Sequence, residues 1–252
     1  MSPLTEHRCM VPHTDGTSRN HRPTRRDAAS DRSSVARVPI GELPHSLHRF
    51  LGKAVRAAHK LSADFGIVGP EDDLARGFGA FGSGSALLFP QGVIYNESYI
   101  QIGAGTLVGP GVCLTAGMGP EQTMLTNPVV AIGDRCVIGR GSHLIGHWSI
   151  ELGDDIQTGP YVYITDQNHG YEDPTMPVGI QPTKEGAVRI GSGSWLGANV
   201  VILPGTVLGR NTTVAAGAVV RGEFPDHVVL GGVPAKVLRH YSTDGGWQSG
   251  AP

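Results

Sequence analysis

From Ile102 onward the chain repeats in sixes, and this period constrains the fold more than any other property of the sequence. Hexads begin at Ile102, Val108 and Leu114, at Ile132, Ile138 and Leu144, at Leu152, Thr158 and Ile164, and at Ile190, Leu196, Ile202, Leu208, Val214 and Val220. Fourteen of these fifteen residues are Ile, Leu or Val, with Thr158 the exception. The next position is glycine in nine hexads (103, 109, 133, 139, 153, 159, 191, 197 and 209), where average usage would give about one. The fifth position is mostly small or β-branched, as at Thr106, Cys136, Ser142, Val162, Ser194 and Ala218. An inward aliphatic, a turn glycine and a second small inward residue describe a short strand followed by a sharp corner. Glycine suits such corners because the chain takes unusual φ/ψ there and because successive coils stack backbone on backbone. Of the 37 glycines, 29 lie between Gly77 and Gly232, and no Gly-X-Y period runs through the chain, which excludes collagen. Aromatic residues are only 6% of the sequence, so the core must rest on small and branched aliphatics. The expected fold is an all-β solenoid, a parallel β-helix of hexapeptide repeats.

Three hexads make one coil of 18 residues, and about six coils fit between Phe81 and Phe224. The third hexad of each coil lacks the glycine and has Thr115, Ile145, Thr165, Leu203 or Arg221 instead, so the three faces are not equivalent. Residues 117–131, with Pro120 and Pro128, and residues 170–188, with Pro174, Pro177 and Pro182, break the register. Proline cannot donate to the ladder, so both stretches must leave the coil as loops, and in a solenoid such insertions project from one side.

The flanks read differently. Residues 1–38 carry seven arginines among Ser, Thr, Pro and His and are expected to be a disordered arm. Residues 39–79 are expected to form a helical cap, because Leu43, Leu47, Phe50, Leu51, Ala54, Val55, Ala58 and Leu61 recur at helical spacing. The opposite face holds Arg49, Lys53, Arg56 and Lys60; covering the open end of the β-helix is preferred to membrane-surface binding. Residues 80–240 form the repeat domain, followed by a C-terminal helix or tail, with 241–252 flexible. The net charge of −2 asks for no nucleic-acid partner, and three cysteines without a C-x-x-C pair indicate neither disulfides nor a thiolate zinc site. With no apolar stretch long enough for a membrane span, a cytoplasmic protein without integral membrane contact is expected.

The repeats, Ile164-Thr-Asp-Gln-Asn-His-Gly170, the proline-bearing loop after it, Ser194-Trp-Leu-Gly-Ala-Asn-Val-Val-Ile-Leu-Pro-Gly205 and Gly232-Val-Pro-Ala-Lys-Val-Leu-Arg239 together resemble the hexapeptide-repeat acyltransferases. Within them the branch most similar is that of the maltose and galactoside O-acetyltransferases and related polysaccharide O-acetyltransferases. The resemblance implies a left-handed β-helix, a homotrimer with its active site between subunits, and transfer of an acetyl or short acyl group from acetyl-CoA to a hydroxyl of a sugar, glycan or glycolipid. It implies His169 as the general base, for which imidazole suits the pH. It also implies Trp195 along the pantetheine arm or the acceptor pocket, the backbone of Gly197 and Ala198 facing the thioester, and Ala216, Arg221 and Gly222 lining the cofactor. Lys236 and Arg239 would meet its phosphates. Asp166 and Asn168 would orient the imidazole or meet the acceptor, or else form turns. Where the sugar enzymes carry an asparagine and an acceptor-binding aspartate, this chain has Gly139 and His147, so a different acceptor pocket is expected, shaped by His147.

Two other readings share the fold. A zinc-dependent β-helix carbonic anhydrase would use His143, His147 and His169, but the closely spaced pair comes first here and last in that family. A non-catalytic trimeric scaffold would need nothing of His169. The acyltransferase reading expects no metal.

Overall fold

The computed structural model describes residues 44–250. The arm at 1–38, the first residues of the 39–79 cap and the last two residues of the tail lie outside them. From Ala80 the chain winds into a left-handed β-helix with three parallel sheets. The third sheet has six strands, at 94–95, 113–116, 143–146, 163–165, 201–202 and 219–220, so there are six complete coils; a partial seventh adds Glu223–Phe224 and Val228–Gly232.

The hexad arithmetic becomes packing directly. All fifteen first-position residues are buried, and they stack in register: Ile102 on Ile132, Leu152, Ile190 and Leu208 on the first face, and Leu114 on Leu144, Ile164, Ile202 and Val220 on the third. Thr158 keeps its place because its Oγ1 accepts a 2.8 Å hydrogen bond from the Gly139 N–H of the coil before. Small polar residues at the fifth position work the same way. Thr106 Oγ1 donates to Gly133 O and accepts from Cys136 N, and Ser194 Oγ accepts from Thr212 N, so these buried hydroxyls are satisfied between coils.

The two reasons for corner glycine fall on different positions. A Cβ on Gly139 would stand 2.2 Å from Gly159 O, and one on Gly197 2.6 Å from Ala216 N, so the second position is glycine because stacked backbones leave no room. The left-handed φ belongs to the fourth position, occupied by Gly105, Gly141, Gly193 and Gly217 but also by Arg135, Asp155, Tyr161, Asn199 and Asn211.

Both insertions leave at the same corner, between the third and first faces. The first follows the strand ending at Ala116, and the second follows the strand ending at Thr165; coil three turns that corner tightly between them through His147, Trp148 and Ser149. The second insertion begins as an antiparallel ribbon, Gln167–His169 against Thr183–Glu185.

The ends differ from expectation. The helix His45–Phe65 forms, yet none of its residues is buried. Over the first coil the core is instead extended by Val68, Ala75 and Phe78, brought there by a bridge from Val68 to Leu87 and the short helix Asp73–Arg76 capped by Asp72. At the other end, the C-terminal helix or tail is corrected to strands. Ala235–Ser242 pairs antiparallel with Val228–Gly232, and Gly246–Ser249 pairs with it in turn. The last coil would otherwise leave an unpaired sheet edge, which this hairpin covers while packing Ala235 and Val237 against the core.

Candidate active site

The third-to-first corner gathers three layers. From the first insertion, Thr126 Oγ1 donates to Trp148 O of the tight corner; from that corner, His147 Nδ1 lies 2.7 Å from Glu185 Oε1 of the ribbon; from the ribbon, the Gln167 amide nitrogen donates to Met118 Sδ of the first insertion. The ribbon carrying His169 is therefore tied to both neighbouring layers. Glu185 and Gln167 are functional-region residues that the sequence reading missed. No motif marks them, because their positions follow from ribbon register, in which Gln167 faces Glu185 and His169 faces Thr183.

Asp166 is the hinge of this arrangement. It is fully buried, and its carboxylate accepts from the backbone N–H of His147 at 2.8 Å, Trp148 at 2.8 Å and Ser149 at 2.7 Å. Burial pushes its carboxyl above the usual carboxylate range, against the opposite pull of those three N–H groups. With no exposed surface, Asp166 shapes the corner, which is the turn-forming role expected for it beside acceptor binding.

Beside the ribbon lies a cleft of about 220 Å³, lined by Met118, Ile145, Tyr163, Thr165, Gln167, Asn168, His169 and Thr183. His169 and Asn168 line it; His147 does not, its Nδ1 being engaged by Glu185. The side-chain amide oxygen of Gln167, Oε1, is buried with no partner among the described residues, leaving an open acceptor in a residue of the cleft wall. Gly139 cannot stand in for an acceptor-binding asparagine, since no side chain fits there. The three histidines of the zinc reading do not gather within one chain. His143 points outward from the third face beside Tyr163, His147 pairs with Glu185, and among the described residues no three His, Cys, Asp or Glu side chains could hold a metal.

The residues expected along the cofactor sit elsewhere. Trp195 is half exposed on the second face, in one cross-strand row with Thr213, Val229 and Arg239, which places Trp195 and Arg239 about 14 Å apart at three strand spacings. The Arg239 guanidinium lies over the Trp247 ring, 5.7 Å from its centroid, and Lys236 is exposed on the same strand. Gly197, Ala198 and Ala216 form the second-to-third corner of adjacent coils. Gly197 N–H is used in a 2.8 Å bond to Val214 O, whereas Ala198 N–H has no partner among the described residues. Arg221 and Gly222 stand at the third-to-first corner of the sixth coil, where Gly222 has a left-handed φ of 106°. None of these residues lines the His169 cleft.

The family model for bacterial transferase hexapeptides (six repeats) matches residues 187–222, and that for the hexapeptide repeat of succinyl-transferase matches 129–165. WbbJ of Escherichia coli strain K12, named as an O-acetyl transferase of lipopolysaccharide biosynthesis, is 34% identical over 139 residues, 52% of this chain and 71% of its own. The galactoside O-acetyltransferase of Lactococcus lactis is 35% identical over 143 residues, 48% of this chain and 68% of its own. In fold, the chain is similar to AntD of Bacillus cereus, an N-acyltransferase solved with dTDP and coenzyme A, with a TM-score of 0.59 at 22% identity over 71% of this chain and 92% of that one. With more than two thirds of WbbJ and of the Lactococcus enzyme covered at over 30% identity, this chain belongs to the hexapeptide-repeat O-acetyltransferase family.

Proposed function

We propose that the protein transfers an acetyl group from acetyl-CoA to a hydroxyl of a carbohydrate, a glycan or glycolipid in preference to a small disaccharide, with His169 as general base. The observation carrying this reading is the position of His169: exposed in a cleft whose other polar groups, Asn168, Thr165, Thr183 and Gln167, suit a hydroxyl-rich acceptor. The relatives' names, which speak of lipopolysaccharide and galactoside O-acetyl transfer, support the same acceptor class. The acceptor oxygen attacks the thioester carbon while the His169 imidazole takes its proton. The C–S bond then breaks, and the sulfur leaves as thiol with that proton. Of the two backbone donors expected near the thioester, Ala198 N–H is the one free to hold the oxyanion.

In this reading the site is shared between copies. His169 stands at the third-to-first corner, while Trp195, Ala198, Ala216, Lys236 and Arg239 lie on or beside the second face, so a neighbouring copy in a homotrimer supplies the donor half. Arg221 and Gly222, at the base's own corner, would line the cofactor from the other side. The test is to incubate the protein with acetyl-CoA and panels of sugars, glycans and glycolipids and follow product mass; acetylation of none of them, or of amines alone, contradicts the proposal. Mixing inactive His169→Ala with inactive Trp195→Ala chains should restore about a quarter of the sites if subunits exchange at random. No restoration in verified mixed oligomers contradicts the shared site.

A further inference from the structure

We propose that the helix His45–Phe65 docks the protein on an anionic lipid surface. At 3.6 residues per turn, Leu47, Phe50, Leu51, Val55, Leu61 and Phe65 share one side, and Arg49, Lys53, Arg56 and Lys60 share the other. The apolar side is unpartnered among the described residues: Phe50 is 66% exposed, Val55 68% and Phe65 83%. Six large apolar side chains facing water are not explained by the fold, whose first coil is covered by Val68, Ala75 and Phe78.

Charge identifies the occupant. Residues 1–65 carry eleven Lys and Arg against six Asp and Glu, a net +5, while residues 66–252 carry nine against sixteen, a net −7. The positive charge of this weakly acidic chain is thus collected on and before the helix. Among the described residues, Lys60 is the one cation of the helix with an acidic partner, Asp64 at 2.6 Å, which leaves Arg49, Lys53 and Arg56 available to phosphate headgroups. A helix with a broad apolar face, a basic polar face and little net hydrophobicity lies in the plane of a bilayer interface, its long cationic side chains reaching back to the headgroups. Association with the same helix of another copy would bury the apolar side but make no use of the cations, and the stripe from Phe50 to Val55 is wider than a coiled-coil seam. Among the described residues no helix is long and apolar enough to cross a membrane, so docking would be at the surface. The inference is independent of which hydroxyl the site acetylates.

The experiment is co-sedimentation of the full chain with vesicles of phosphatidylcholine alone and of phosphatidylcholine mixed with phosphatidylglycerol, at low and high salt. The expected result is binding to the anionic vesicles only, weakened by salt, with about fivefold loss for each of Arg49→Gln, Lys53→Gln and Arg56→Gln. Leu51→Glu with Val55→Glu should abolish binding while leaving thermal unfolding of the β-helix unchanged, because neither residue is buried. Three results overturn the proposal: no binding to either vesicle, equal binding to both, or undiminished binding of the Leu51→Glu, Val55→Glu protein. The last would assign attraction to the arginine-rich segment alone. A loss of mass for that variant in solution, without vesicle binding by the parent, would assign the apolar face to another copy.

Discussion

Nδ1 of His147 lies 2.7 Å from Oε1 of Glu185, and this contact joins the tight corner of the third coil to the ribbon that presents His169. The two side chains are 21% and 32% exposed, so the bond is partly shielded from water. Glu185→Ala should cost about 1 kcal/mol of stability and lower kcat by about tenfold to a hundredfold through misplacement of the ribbon. The KM for acetyl-CoA should change little, because in the proposed arrangement Trp195, Ala198, Ala216, Lys236 and Arg239 lie on or beside another face. Steady-state kinetics and urea unfolding on the same preparation check it.

Asp166→Ala should destabilise the protein by about 2 kcal/mol, because three backbone N–H groups lose their buried acceptor together. Asp166→Asn retains one carbonyl oxygen and should lose about half as much. The urea midpoint at unchanged slope is the measure.

A glycine at a stacked corner and one in open space should respond differently to a methyl group. Gly139→Ala places its Cβ against the Gly159 carbonyl and should cost about 2 kcal/mol or more, since stacked backbones must separate. Gly179→Ala, in the second insertion, meets nothing within 4 Å and should stay within about 0.5 kcal/mol of the parent. Paired thermal melts distinguish them.

Acid should loosen the second insertion before it unfolds the β-helix. The Lys184 ammonium and the Tyr171 N–H hold the Glu172 carboxyl below the usual carboxylate range, and the hydroxyl and N–H of Thr175 do the same for Asp173. Both values are lower folded than unfolded, so their contribution is full at neutral pH and is lost as pH falls through the depressed values. Amide exchange and protease sensitivity in residues 170–182 should therefore rise below about pH 4 while the coils stay protected.

Most of the β-helix was legible because one short rule, repeated, has to be satisfied in every coil. Even the polar exception at Thr158 sits in its column once Gly139 N–H is counted as its partner. What the period could not separate was the cause of glycine at the corners, since crowding at Gly139 and left-handed φ at Gly141 leave the same letter. The ends were harder. Lys236 to Tyr241 alternates too weakly to announce a strand, and it becomes one because the edge at Val228–Gly232 needs a partner. At the site, His169 was visible through its motif, but Glu185 and Gln167 became so only through pairing across a loop, and Asp166 proved to hold backbone because its neighbours fold over it.

The central claim is that His169 removes the acceptor proton, and thiol release from acetyl-CoA by His169→Ala tests it most directly, with a reactive acceptor present and acetyl-CoA binding measured in parallel. The expected outcome is unchanged binding with turnover lowered by about 100- to 10,000-fold. Turnover equal to that of the parent protein would contradict it and leave His169 a surface residue of the ribbon.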